Sequence, residues 1–142
     1  MMKSSKSLPR PTEAELELLR ILWDKEQATV REIYDALNLR RPSGYTTVLK
    51  MLQIMTTKGL VVRDEANRAH VYRAALSQDV TQSEILKDLS VRLFSGSAAQ
   101  LALHALAMEP ASADELEAIR VLIDSKRSHT EMKSAQRGKH QP

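Results

Sequence analysis

Residues 44–59 constrain the fold most strongly, because their spacing predicts an amphipathic helix with a defined end. The apolar side chains recur at intervals of three and four residues, which places them in one stripe against a core. They are Val48, Met51, Leu52 and Met55. Gly59 then ends the helix, since glycine adopts the left-handed conformation of a helix C-terminus at little cost. The opposite face carries polar groups that can reach phosphates or base edges but form no catalytic set, namely Tyr45, Thr46, Lys50 and Gln53.

The residue types that carry most catalytic and metal chemistry are missing or scattered. The chain of 142 residues has no cysteine, which removes disulfides, thiolate metal sites and thiol nucleophiles. Its four histidines lack ligand spacing, and no zinc-protease, serine-hydrolase or phosphate-loop motif occurs. We therefore expect no metal site, no cofactor and no enzymatic activity. An aromatic content of 4% and four glycines favour a helix-rich chain over a β-sandwich or barrel.

The sequence carries no sign of export or membrane insertion. The first eight residues lack the apolar run of a signal peptide. No apolar stretch approaches the ~20 residues that span a bilayer. We therefore expect a cytoplasmic protein.

Charge is segregated along the chain. The net charge of +3 divides into +4 for residues 1–75, −5 for residues 76–125 and +4 for residues 126–142. A basic first half and an acidic second half suggest that one half meets a polyanion while the other meets protein.

Two capping boxes mark helix starts before residue 44. In each, a threonine side chain accepts from the amide three residues on, while a glutamate reaches back to the threonine amide. Thr12 and Glu15 open the first helix, and Thr29 and Glu32 open the second. Asn38 is expected to end the second helix. The predicted buried stripe of the first helix comprises Leu16, Leu19, either Ile21 or Leu22, and Trp23.

Three segments are predicted to lie outside the helices. Residues 1–11 hold lysines, serines and prolines and are expected to form a disordered leader. Residues 28–30 form a short extended link. Residues 126–142, rich in Lys, Ser and Gln without periodicity, are expected to be a disordered basic tail.

After Gly59 the apolar pattern changes from helical to alternating. Residues 60–63 and 69–73 read as two short strands that form a β-hairpin. Three short helices followed by a hairpin is the element order of a winged helix-turn-helix, in which the third helix enters the major groove. We therefore predict a mainly α chain with a small β-hairpin, in which residues 12–75 form a winged-helix DNA-binding domain.

Eight residues of this domain are candidates for contact with DNA: Arg40, Arg41, Tyr45, Thr46, Thr47, Lys50, Gln53 and Arg68. The threonines and the lysine lie in the first turns of the third helix, where a recognition helix meets base edges and phosphates. Arg40 and Arg41 lie in the turn before that helix, where at least one of them is expected to neutralise a phosphate. Arg68 lies at the hairpin tip, where it can contact a phosphate or the minor groove. Three structural alternatives stay open, because Thr47 can serve as a cap, Tyr45 can pack on the second helix, and Gln53 can be merely solvated.

The second half, residues 76–125, is predicted to be helical and to need a partner. A capping box at Thr81 and Glu84 opens one helix, and Ser97 and Ser112 open two more. Roughly 45 residues of helix bury too little surface to form a core alone. We therefore expect a homodimer, with packing onto the same chain's winged helix as the alternative. The predicted dimer contacts are Ile85, Leu89, Leu93, Phe94, Leu101, Leu116, Ile119, Leu122 and Ile123.

Four motifs of the first half belong together: Trp23-Asp24, Tyr45-Thr46-Thr47-Val48, Lys58-Gly59-Leu60 and the run from Arg68 to Arg73. In combination they resemble the BlaI/MecI/CopY family of winged-helix repressors. The similarity covers residues 12–126, and it implies a dimer that sits on a dyad of operator DNA and represses transcription. One departure is Ile54, where related repressors tend to carry a basic residue, so we expect fewer phosphate contacts and a shallower salt dependence.

The resemblance leaves the release mechanism open. Copper-responsive members use clustered cysteines, which this chain lacks. Members that respond to β-lactams are cut by a membrane sensor-protease, and the corresponding position here is His104-Ala105, where asparagine and phenylalanine are usual. Two alternatives to a proteolytically released repressor stay open, namely a winged-helix regulator that binds a small effector and a protein-interaction module that does not bind DNA.

Overall fold

The computed structural model describes residues 10–66 and 68–139, with side chains described as far as residue 135. The predicted leader therefore lies almost entirely outside the described residues. The elements in chain order are α1 (Glu13–Lys25), β1 (Ala28–Thr29), α2 (Val30–Asn38), α3 (Tyr45–Lys58), β2 (Val61–Asp64), β3 (Val71–Ala74), α4 (Gln78–Phe94), α5 (Ala98–Met108) and α6 (Ala113–Lys139).

The capping boxes of the first two helices are present as predicted. The Glu15 amide donates to Thr12 Oγ1 at 3.2 Å, and the Thr12 amide donates to Glu15 Oε1 at 2.9 Å. The same reciprocal pair joins Thr29 and Glu32, at 3.2 and 2.8 Å. Each box satisfies two backbone donors that a helix start leaves without an intrahelical partner. The second helix ends at Asn38, as the sequence predicted.

Gly59 closes α3 in the predicted conformation. Its φ of 84° lies in the left-handed region, where a residue with a Cβ is strained. The chain then reverses, and the Leu60 amide donates to the carbonyl of Met55 at 2.9 Å. Gly59 therefore sets the direction in which the chain leaves the polar helix and enters the sheet.

The sheet has three antiparallel strands in the order β1-β3-β2, not the two strands predicted. Val61 pairs with Ala74 and Asp64 with Val71, which is the predicted hairpin. The third strand comes from the segment expected to be only a link, because Ala28 pairs with Tyr72. A strand of two residues is too short to show alternation in a sequence.

One apolar core holds α1, α2, α3 and the sheet together. Its fully enclosed side chains are supplied by every one of these elements. They include Leu18, Leu22, Ile33, Leu37, Val48, Leu52, Met55 and Tyr72, each at most 1% exposed. The predicted stripe of α1 missed Leu18 and placed Leu16 too deep, since Leu16 is only half-buried. Next to this core, the indole N–H of Trp23 donates to the carbonyl of Leu76 at 3.0 Å, just before α4.

A partly buried ion pair joins the start of α1 to the end of α3. The ammonium of Lys58 lies 2.7 Å from Glu15 Oε1, whose side chain is 7% exposed. Burial raises the pKa of Glu15, but the hydrogen bonds from Lys58 and from the Thr12 amide outweigh it and hold the pKa below its ordinary value. The sequence gave no local signal for this pair, because its members are 43 residues apart.

Replacement of the buried carboxylate is expected to reduce stability and its acid dependence. Glu15→Gln should lower the free energy of unfolding at neutral pH by about 1–2 kcal/mol, because an amide makes a weaker hydrogen bond to Lys58. The folded pKa is below the unfolded one, so this stabilisation is complete above the unfolded pKa and is lost as pH falls through the folded pKa. In urea denaturation, the two proteins should therefore converge as the pH falls below 4.5, the ordinary glutamate value.

The matched control for this measurement is Glu13→Gln. Glu13 is exposed in the first turn of the same helix, so its loss removes the same charge without touching Lys58. A constant stability difference between Glu15→Gln and the unaltered chain at every pH would contradict the expected role of the carboxylate.

The chain divides into two compact units between Gly96 and Ser97, so α4 lies with the winged helix. The predicted capping box that was to open α4 is wrong. The helix begins four residues earlier, where the Val80 amide donates to Ser77 Oγ at 3.1 Å, and Thr81 is buried inside the helix. Ser77 and Thr81 both offer a hydroxyl that can cap a helix. Ser77 caps α4, while Thr81 is packed inside the helix at 9% exposure.

The second unit contains α5 and α6, whose predicted starts are confirmed. The Gln100 amide donates to Ser97 Oγ, and Ser112 forms a reciprocal pair with Glu115. The expected disorder from residue 126 is not observed as far as Lys139, because α6 continues to that residue. Residues 126–137 contain neither glycine nor proline and are rich in good helix formers. In the part of the chain that the structure describes, no helix has both the length and the apolar character of a membrane span.

Candidate nucleic-acid interface

The helix α3 presents two chemically opposite faces. Val48, Leu52 and Met55 are 0% exposed and fix the helix on the core. The opposite face is open to solvent and carries four exposed polar side chains of the predicted set, namely Thr46, Thr47, Lys50 and Gln53, together with the exposed Ile54. Because the buried face is held so firmly, the polar face projects from the domain in a fixed orientation.

The threonines at the two ends of α3 differ in hydrogen bonding. Near its end, Thr56 Oγ1 donates to the carbonyl of Leu52 at 2.7 Å, and Thr57 Oγ1 donates to that of Gln53 at 3.2 Å. At its start, the hydroxyls of Thr46 and Thr47 make no hydrogen bond to any other described residue. Thr46 and Thr47 therefore keep their full hydrogen-bonding capacity for an external donor or acceptor, whereas Thr56 and Thr57 do not.

The turn before α3 is fixed by Asn38, a role that sequence analysis missed. Asn38 Nδ2 donates to the carbonyls of Tyr34 at 2.8 Å and Ser43 at 3.2 Å, while its Oδ1 accepts from the Ser43 amide at 3.1 Å. The helix cap itself is Gly44, which offers no side chain to the first amides of α3. The start of α3 is thus positioned rigidly while its amide groups remain without a side-chain acceptor.

Tyr45 packs on the second helix, as one of the alternatives left open for it requires. Its ring meets that of Tyr34 edge-on, with 5.4 Å between centroids and 64° between planes, so it packs on α2. The ring is nevertheless 44% exposed. The guanidinium of Arg31 lies 5.6 Å from the centroid of the Tyr34 ring and 3.3 Å from an oxygen of Asp35. Tyr45 is therefore held in place by packing, with part of its ring facing solvent.

The two arginines of the turn between α2 and α3 are in different electrostatic states. Arg41 forms an ion pair with Glu17 of α1, with Nη2 and Nε at 2.7 and 3.2 Å from Oε1. This contact lowers the pKa of Glu17 and raises that of Arg41. Arg40 is exposed and makes no ion pair with any described residue. Sequence analysis missed Glu17, because 24 residues separate it from its partner.

The hairpin carries a comparable contrast. Arg63 pairs with Glu65 at 2.7 Å, which raises the pKa of Arg63. Arg68 is exposed and has no ionic partner among residues 10–66 and 68–139. Of the arginines proposed for phosphate contact, Arg40 and Arg68 are thus the ones that form no ion pair with a described residue, although the charge of Arg40 also helps to lower the pKa of Glu17. Ile54, noted above as a departure, is 47% exposed.

No three potential metal ligands cluster among the described residues. The eight predicted contact residues come from three places in the first compact unit. Arg40 and Arg41 lie in the turn before α3, five residues lie in α3, and Arg68 lies between β2 and β3. Their roles in binding stay predictions.

Similarity to known proteins extends over most of the chain. Residues 11–125 match the sequence model of the family described as Penicillinase repressor. The chain belongs to the penicillinase repressor family. This confirms the resemblance found in the sequence. Members of the family are transcriptional repressors, so the chain is not an enzyme.

Individual members of the penicillinase repressor family align over comparable lengths. Transcriptional regulator BlaI of Mycobacterium tuberculosis (strain ATCC 25618 / H37Rv) is 32% identical over 114 residues, which cover 80% of this chain and 82% of that protein. Methicillin resistance regulatory protein MecI of Mammaliicoccus sciuri is 23% identical over 113 residues, which cover 80% and 92%. A solution structure of monomeric Bacillus licheniformis BlaI in complex with the blaP half-operator is 22% identical, with a TM-score of 0.46, and the match covers 51% of this chain and 89% of that one.

Proposed function

We propose that the chain is a homodimeric transcriptional repressor that binds a dyad of operator DNA. The observation that carries the proposal is the exposed polar face of α3, whose first two threonine hydroxyls have no partner among the described residues. A polar helix face that stands on a firm core, next to basic groups, suits entry into the major groove. Membership of the penicillinase repressor family supports the same function.

Within this proposal the contacts divide by chemistry. Thr46, Lys50 and Gln53 read base edges, since an amide, an ammonium or a hydroxyl can each bond a base in the major groove. Thr47 and Tyr45 bind phosphate at the start of α3. The arginines Arg40, Arg41 and Arg68 neutralise phosphates beside the groove, which contributes affinity but little sequence preference.

The proposal of a homodimer rests on the second unit. No described side chain from residue 97 to residue 135 is buried. Large apolar groups are exposed instead, including Leu103 at 60%, Leu116 at 52% and Leu122 at 56%. Apolar surface of this extent on α5 and α6 is covered in a stable protein, and a second copy covers it symmetrically. The predicted contacts on α4 are also open, since Ile85, Leu89 and Phe94 are half-buried and Leu93 is 68% exposed.

Release from DNA is proposed to act on this same unit. The predicted cleavage position, His104-Ala105, lies within α5, where both residues are exposed. A cut there by a membrane sensor-protease separates the dimer contacts of α6 from the winged helix, which weakens the dimer and with it the linkage between half-sites. Incubation with membranes from induced host cells should yield a fragment that ends near His104, and an intact chain would remove this part of the proposal.

The function is tested by footprinting the purified chain on the DNA upstream of its own gene. We expect protection of two half-sites about 34–36 Å apart, one duplex turn between successive major grooves. The affinity should fall steeply with salt, because phosphate contacts release counterions. Binding that barely changes with salt, or a footprint with no preferred position, would favour the interaction module that does not bind DNA.

A further inference from the structure

The ion pair between Glu17 and Arg41 lies at the edge of the proposed DNA-binding surface. Arg41 occupies the turn that leads into α3, and its charge is taken up by a carboxylate from a different helix. Glu17 contacts it through both of its oxygens, at 2.7 to 3.5 Å. Seen from a phosphate outside the pair, the two charges nearly cancel. The turn thus presents one net positive charge, that of Arg40, although the sequence places two arginines there.

The pair is accessible enough to be exchanged. The side chain of Arg41 is 47% exposed and that of Glu17 is 24% exposed. An ion pair this open to water is weak, because solvent and salt screen it. A DNA phosphate offers the same guanidinium an equivalent anionic acceptor. The ion pair between Arg41 and Glu17 is therefore more exposed, and easier to exchange, than the pair between Lys58 and Glu15.

A DNA phosphate can also approach Arg41 while the Glu17 carboxylate stays in place. Glu17 uses the Nε and Nη2 groups of the guanidinium. The Nη1 group remains for another acceptor, since arginine has five N–H donors. A phosphate bound there would lie near the Glu17 carboxylate and be repelled by it. Whether the phosphate replaces Glu17 or joins it, the carboxylate lowers the gain from the contact.

We propose that Glu17 competes with DNA phosphate for Arg41 and thereby limits the affinity of the repressor for duplex DNA of any sequence. This inference rests on the proposed function. It assigns a role to an acidic residue of α1 that makes no contact with DNA in the proposed complex. The effect is independent of sequence, because a phosphate contact carries no direct information about the bases.

The test measures the affinity of the full chain for a random duplex over a range of salt concentrations. Glu17→Gln keeps the size of the side chain and releases Arg41. The affinity at low salt should rise by up to about fivefold, the free energy of one exposed ion pair, because Arg41 no longer gives up a carboxylate to bind the phosphate. If the unaltered chain leaves this phosphate uncontacted, the slope of log affinity against log salt should also steepen by about 0.9, and a fourfold increase in salt should then cost about 3.5-fold more than it costs the unaltered chain.

Two further variants separate this mechanism from a simple change in net charge. Glu13→Gln removes an equal charge one helical turn before Glu17, on the same side of α1, where no ion pair is formed with a described residue. Glu13→Gln should leave both the affinity for random duplex and the slope of log affinity against log salt unchanged. Adding Arg41→Ala to Glu17→Gln should abolish the gain, because the released guanidinium is then absent.

The outcomes distinguish a failure of the inference about Glu17 from a failure of the proposed function. If Glu17→Gln binds random duplex at low salt no more tightly than the unaltered chain, Glu17 does not compete with phosphate for Arg41, and the inference is overturned. If the unaltered chain itself binds no duplex in a manner that depends on salt, the proposed function fails first.

Discussion

The variant Leu122→Glu is expected to be monomeric and to bind the full operator about 10²–10⁴-fold more weakly than the unaltered chain. Leu122 is 56% exposed on α6 and belongs to the apolar stripe predicted for the dimer contact. In a dimer, a glutamate at this position would place two carboxylates in an apolar interface, one from each subunit. Removing these charges from water costs several kcal/mol and opposes dimer formation. Loss of the dimer removes the linkage between half-sites, so the second binding event is no longer intramolecular. Sedimentation velocity and operator titration measure the two effects.

The neighbouring position provides a matched control. Val121 is 54% exposed on the same helix but lies about 100° around its axis, off the predicted stripe. Val121→Glu should therefore remain dimeric and keep its operator affinity. If the unaltered chain sediments as a monomer, or if both variants behave alike, the proposed use of α6 is wrong. Since both side chains are largely exposed in the single chain, neither substitution is expected to unfold the first unit.

Thr46→Ala is expected to weaken operator binding by about 1–3 kcal/mol while binding to random duplex is unchanged. The Thr46 hydroxyl is exposed in the first turn of α3 and has no hydrogen-bond partner among the described residues. Its loss removes a direct base contact but no phosphate neutralisation, so the salt dependence should also stay the same. Competition titrations with operator and random duplexes at one salt concentration measure the difference.

The same substitution near the other end of α3 serves as the control. Thr57→Ala deletes a hydroxyl that already donates to the carbonyl of Gln53, at 3.2 Å. This variant should bind both DNAs like the unaltered chain. An equal loss of affinity for operator and random DNA in Thr46→Ala would mean that the hydroxyl only positions the sugar-phosphate backbone.

The parts of the fold that could be predicted are those that depend on local spacing. The boxes at Thr12 and Thr29, the helix end at Gly59 and the buried stripe of α3 are all read within a few neighbouring residues. The start of α4 was misplaced because Ser77 and Thr81 both offer a cap within one turn, and only packing decides between them. The helical continuation after residue 126 was missed because a polar segment without periodicity can still have good helix propensity.

The exposure of the candidate site residues was predictable, but their electrostatic states were not. Exposure of Thr46, Lys50 and Gln53 followed from the position of the apolar stripe on the opposite face. The neutralisation of Arg41 by Glu17 did not, because it depends on how α1 packs beside the turn. For the same reason no spacing rule pointed to β1, whose two residues become a strand only when β3 lies next to them.

The bond from Trp23 to the Leu76 carbonyl has a practical consequence. Trp23 is the single tryptophan of the chain, and its indole is partly shielded at the point where the backbone leaves the sheet for α4. Its fluorescence therefore reports on one place only, the contact between the end of α1 and the segment that leads into α4. A change in this contact can be followed by tryptophan fluorescence in the native chain, without attaching a dye.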